Sequence, residues 1–156
     1  MTISQQLQDV ADAIIFLHRE IFGESPSPMK LQKLCYYSQG YHLAETNAED
    51  ELFGEDFQAW QHGPVIVDLY HKYKHYQWRQ ITDDIPSFNE DLRDFLTDIV
   101  AAYGRYDGAA LSTMTHRESP WLDARGDLDE SEGSSEVITK DSLHKFFAAK
   151  LASSHV

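Results

Sequence analysis

Residues 31–42 read LQKLCYYSQGYH, and their spacing sets the fold class. Leu31, Leu34, Cys35, Ser38, Tyr41 and His42 recur at helical intervals and are expected to share one inner face. Upstream, Ser27 can accept hydrogen bonds from free amides and Pro28 suits a first helical turn, so the helix should start there. Before the SPSP loop, Ile3, Leu7, Val10, Ile14, Leu17 and Ile21 form the stripe of another helix, with Gly23 as its stop.

Downstream, residues 46–56 are polar and acidic, and a second dense stretch, FQAWQHGPVIVDLY, runs from Phe57 to Tyr70. Phe57 to Trp60 reads as extended, and Pro64 can open a helix carried by Val65 or Ile66, Leu69, Tyr70 and Tyr73 to about Tyr76. Ile81 and Ile85 flank a polar turn that could pair as strand, and Ser87 with Glu90 has the pattern of a capping box. Leu92, Phe95, Leu96, Ile99, Val100 and Tyr103 then stripe a helix ended by Gly104. Asp107 can cap a shorter helix, and Ser119-Pro120 repeats the cap-then-proline signal ahead of Trp121.

Residues 126–136, GDLDESEGSSE, carry five acids and no base, which predicts a mobile loop. Thr139 or Asp141 can cap a last helix with Leu143, Phe146, Phe147 and Leu151 inward. The prediction is a mainly α protein: one compact helical domain over residues 1–156, with about six to seven helices. Its small β element is expected near residues 55–62 and 80–86.

The chain has 156 residues, enough for one domain with a real core. Its 26 acids against 13 bases disfavour binding to phosphate backbones, which requires clustered Lys and Arg. An acidic surface does suit a basic protein partner. Cys35 is the single cysteine, so no intramolecular disulfide can form. The N-terminus lacks the basic region and apolar run of a signal peptide, and no segment has the ~20 apolar residues of a membrane span. A cytoplasmic location without membrane contact is expected.

His71 and His75 stand four apart, but Lys72 lies where a zinc-protease motif needs a glutamate and no third ligand is in reach, so no metal or other cofactor is expected. An enzyme reading would make His62 or His116 a general base, oriented by Glu118 or Asp68, with Ser112, Thr115 or Cys35 as nucleophile. Nothing in the spacing fixes that geometry, and histidines bonded to the backbone of their own loops are the preferred reading, leaving no catalytic residue assigned. In YHKYKHYQWR, residues 70–79, helical spacing turns Tyr70 and Tyr73 inward. Tyr76, Trp78 and Arg79 are expected to be exposed, and they are the candidate partner-binding residues.

Three motifs together resemble the Panacea domain family, the SocA-like antitoxin domains that include phage-associated proteins. Leu31, Lys33, Leu34, Tyr36, Tyr37, Gln39 and Gly40 match its helix L-x-K-L-x-Y-Y-x-Q-G. Ala59, Trp60, Gly63, Pro64, Val65 and Tyr70 match its extended segment and turn, with Gln58 in place of the usual acid. Thr115, His116, Glu118, Pro120 and Trp121 match T-H-x-E-x-P-W. Departures are Tyr41, where the family often has Trp, and the acidic loop before Val137.

The resemblance implies a non-enzymatic antitoxin that binds and neutralises a toxin encoded by an adjacent gene. The alternatives are an adaptor presenting the toxin to a protease, and a His-dependent enzyme. Some relatives add a DNA-binding domain; the resemblance fills this chain, so none is expected here. The signature residues are expected to be structural. Lys33 would keep its ammonium at the surface, Gly40 would admit a neighbouring segment, and Trp60 would anchor the extended piece against the motif helix.

Overall fold

Helix α2 (Pro28–Glu45) is the axis of the fold, and it begins where Ser27 accepts the Lys30 amide with Pro28 in the first turn. The structure is a computed structural model, and it describes residues 3–154. Before α2 comes α1 (Gln5–Phe22), capped by Ser4 and stopped by Gly23 at a φ of 75°, a value glycine adopts without penalty. After it come β1 (Phe57–Trp60), β2 (Gly63–Val65), α3 (Val67–Tyr73), α4 (Arg93–Tyr103), α5 (Gly108–Thr115), α6 (Ser119–Arg125), β3 (Val137–Ile138) and α7 (Lys140–Ser154). Seven α-helices and a small sheet make the described residues mainly α, as the periodicities predict. No helix among them is long and apolar enough to cross a membrane.

Helix α2 has no single inner face. Every residue from Lys30 to Gly40 is buried, whereas Tyr41 and His42, expected inside, are half-buried. Helices α1, α3, α4, α5 and α7 and strand β2 all pack around it. A helix enclosed on every side needs no amphipathic stripe, so its polar residues must find partners indoors. Tyr37 stacks on Tyr103 of α4 at 4.0 Å, and Tyr36 meets Phe57 and Phe147 edge-on.

The closest approach is between α2 and α7, at Gly40. A Cβ there would overlap three ring carbons of Phe147. Gly40→Ala gains about 1 kcal/mol of helix propensity, but overpacking costs about 1–3 kcal/mol. The variant should lose up to about 2 kcal/mol in urea unfolding, and the substitution should turn favourable when Phe147→Ala removes the ring. An identical effect in both backgrounds would sink this packing account.

The sheet is antiparallel in the order β2-β1-β3, with Trp60 opposite Gly63 and Phe57 opposite Ile138. Several boundaries differ from the sequence expectation. Pro64 lies inside β2, and α3 starts only at Val67, because Gly63 at a φ of 117° closes a hairpin before any helix can begin. Residues 80–86 form no strand. Instead the Ile81 amide donates to the Pro26 carbonyl (3.0 Å), and Arg19 donates to the carbonyls of Ile81 (3.1 Å) and Asp83 (2.6 Å). An arginine thus satisfies the backbone that a strand partner would have taken. The third strand comes from the end of the acidic segment.

The capping signals also shift. Asn89, not Ser87, accepts the Asp91 amide and opens a 3₁₀ turn (Glu90–Leu92) leading into α4. Ser119 is the first residue of α6 and no side chain caps that helix. Asp107 and Thr139 cap α5 and α7 as expected, through the Ala110 and Ser142 amides.

Candidate functional site

Gln32, Lys33 and Gln39 of α2 point into protein and bind backbone of other segments. Gln32 makes a two-way bond with Ile66, donating to its carbonyl and accepting its amide, both at 2.9 Å. Gln39 does the same for the 46–56 connection, donating to the Phe53 carbonyl and accepting the Leu52 amide, both at 2.8 Å. Lys33 is buried, and its Nζ donates to the Pro64 carbonyl at 3.2 Å. This corrects the expectation of a surface ammonium: Gly63 and Thr115 close over the Lys33 stem, with no room for a Cβ at Gly63. Burial pushes the Lys33 amine down to about 7.

The T-H-x-E-x-P-W segment locks onto the same helix. Tyr36 and Tyr37 each donate a hydroxyl to Glu118, one to each carboxylate oxygen, at 2.9 Å. Burial raises the Glu118 carboxyl, and the two phenols pull it part of the way back. His116 stacks on Trp121 at 4.1 Å, and burial lowers its imidazole. Trp121 donates its indole N–H to the Trp60 carbonyl at 2.8 Å. Arg125 lies over the Trp121 ring and donates to the carbonyls of Ala59 (3.0 Å), Asp129 (2.8 Å) and Glu132, so it ties β1 to the acidic loop.

Of the groups weighed for catalysis, Ser112, Thr115, Cys35 and Glu118 are engaged elsewhere, whereas His62 is exposed and His116 Nε2 has no hydrogen-bond partner among the described residues. Ser112 donates to the His62 carbonyl and Thr115 to the Ser112 carbonyl at 2.7 Å. Cys35 is fully enclosed, and burial pushes its thiol up, away from the reactive thiolate. Glu118 faces the two tyrosines of α2. His71 pairs with Lys74 (3.3 Å) and His75 lies against Tyr76 in a 3₁₀ turn (Lys74–Tyr76), so one continuous α-helix does not present both imidazoles.

Trp60, expected against α2, instead sets its ring on Tyr70 of α3 at 5.0 Å, and Tyr70 is 39% exposed rather than inward. These rings border a cleft of about 310 Å³ between the start of α2, the β1–β2 hairpin and α3, with Leu31, Lys33 and Val65 among its lining. Of the candidate contact residues, Tyr76 is half-buried and donates its hydroxyl to Asp83. Trp78 is 78% exposed, with the exposed Arg79 guanidinium 5.5 Å from its ring. Sequence reasoning missed Gln32 and Arg125, since nothing in the pattern shows that a glutamine and an arginine will serve as backbone partners.

The fold and site define a mainly helical domain whose motif residues form a buried network joining α2 to a short hairpin and to α6. The family model of the SocA-like antitoxins, the Panacea domain, matches residues 31–122. The chain belongs to that family. No curated protein and no solved structure matches it.

Proposed function

We propose that this protein is a non-enzymatic, cytoplasmic antitoxin that neutralises a toxin encoded by the adjacent gene through direct protein binding. Membership of the SocA-like antitoxin family is the observation that carries the reading. The engagement of Glu118, Ser112, Thr115 and Cys35 in internal bonds or in the core supports a binding role over a catalytic one.

Co-expression with the neighbouring open reading frame tests it. The neighbour alone should arrest growth, and this protein should restore growth and co-purify with the toxin at unchanged toxin abundance. His62→Ala and His116→Ala chains that keep the native circular dichroism should still neutralise. A harmless neighbour, a toxin that stays lethal, or rescue lost in folded histidine variants overturns the proposal.

A further inference from the structure

The cleft beside Trp60 is lined mainly by apolar and aromatic side chains. Met29 and Tyr70 on its lining are 38% and 39% exposed, over a base that includes the buried Leu31 and Leu69. Its volume of about 310 Å³ is at the small end for ligand pockets, the size for one large side chain rather than a folded segment.

Charge singles the cleft out further. The chain carries 26 acids, yet among the described residues none lines this cleft, whereas the exposed Lys74 does. The basic character continues past the rim. Gln77, which also lines the cleft, sits at a φ of 57°, uncommon for a residue other than glycine. The chain then presents Trp78 and Arg79 to solvent.

We propose that this cleft is the toxin's docking point, taking one aromatic or large apolar side chain from a segment whose flanking residues are acidic. The proposal rests on the toxin-binding reading. A ring entering the cleft that Trp60 and Tyr70 border is the kind of buried anchor that dominates interface energies. Flanking carboxylates would meet Lys74, His62 and Arg79, while an acidic segment set against the rest of a surface with net charge −13 is repelled. One face then both attracts the segment and fixes its register.

The test uses the full chain and a capped hexapeptide, Asp-Glu-Leu-Trp-Glu-Asp, titrated by NMR. Shifts should centre on the Trp60 indole N–H and on residues 65–77. Affinity should fall about tenfold for Tyr70→Ala and for Lys74→Glu, and stay unchanged for Lys145→Glu on α7. Replacing the four acids by lysines should weaken binding by at least about tenfold. No binding at millimolar peptide, shifts centred elsewhere, or equal binding of the basic peptide overturns the cleft assignment.

In cells, Tyr70→Ala and Lys74→Glu should lose toxin rescue while Lys145→Glu keeps it; rescue by all three overturns the assignment. Wild-type protein that never rescues sinks the antitoxin reading instead, and the peptide result then judges the cleft by itself. A wild-type dimer that becomes monomeric with Tyr70→Ala puts a second copy in the cleft and overturns the proposal.

Discussion

Glu118→Ala should lower the unfolding free energy by about 3–6 kcal/mol, because hydrogen bonds to a charged group contribute about 1.5–3 kcal/mol each and Glu118 accepts two. The loss is large because both donors, Tyr36 and Tyr37, are fully buried and would be left without water or acceptor. Glu118→Gln keeps an acceptor for one phenol and should lose only about 1–2 kcal/mol. Replacing the whole trio by Phe, Phe and Leu should be less harmful than Glu118→Ala alone, since no donor is then orphaned.

The pH dependence has a definite sign. Burial, the larger effect, raises the folded Glu118 carboxyl above its ordinary 4.5. A carboxyl with higher proton affinity in the folded state adds stability below 4.5 and loses it as pH rises through the folded value. Urea unfolding from pH 4 upward should show a larger fall in the wild type than in Glu118→Gln, which keeps the raised Asp12 carboxyl. Parallel profiles, or Glu118→Ala within about 1 kcal/mol of wild type, would remove Glu118 as the link between α2 and α6.

The helices at the edge of the fold were legible because each has one wet side. Helix α1 shows its stripe, with Leu7, Val10, Ile14 and Leu17 buried, and its Gly23 stop. Helix α4 likewise buries Leu96, Ile99 and Val100. Helix α2 was legible as a helix but not as the axis, because periodicity reports contrast between faces and α2 has none. The sheet was half-legible for a related reason. Phe57 to Trp60 alternates as a half-buried strand should, but β3 is two residues at the end of an acidic run, too short to carry a period.

The strap at residues 80–86 shows the opposite error. Isoleucines at 81 and 85 suggested strand, yet both are buried there without a partner strand, and Arg19 from α1 bonds the carbonyls of Ile81 and Asp83. Side chains that satisfy backbone over long sequence separations leave no local signature. The same physics hides the site: Gln32, Gln39 and Arg125 hold segments up to 66 residues away in the chain. Motif resemblance located these helices, but only the folded arrangement shows that their polar residues hold the backbone of distant segments and that Trp60 borders a cleft.

Lys33→Met should make the protein more stable at pH 6 and nearly unchanged in stability at pH 10. In the fold Lys33 is enclosed, with its amine pushed from its ordinary 10.5 down to about 7 by burial. At about 1.4 kcal/mol per tenfold in proton affinity, that difference corresponds to a burial cost on the order of 4–5 kcal/mol for the charged form. Between pH 7 and 10.5 the unfolded chain binds the proton and the folded chain does not, so wild-type stability rises with pH across that window. The cost is absent above 10.5 and complete once pH has fallen through about 7. Methionine fills similar space without a charge, and its own cost is the bond to the Pro64 carbonyl, about 1 kcal/mol. The variant should therefore gain about 2–4 kcal/mol at pH 6, and its advantage should shrink steadily toward pH 10. Taking the difference between the two proteins cancels the buried tyrosines, whose phenols are raised by burial in the fold of both and ionise at the alkaline end only once unfolded. A constant gap from pH 6 to 10 would mean that Lys33 stays charged in the fold, which requires a counter-ion or water that its enclosure by Gly63, Pro64 and Thr115 does not provide.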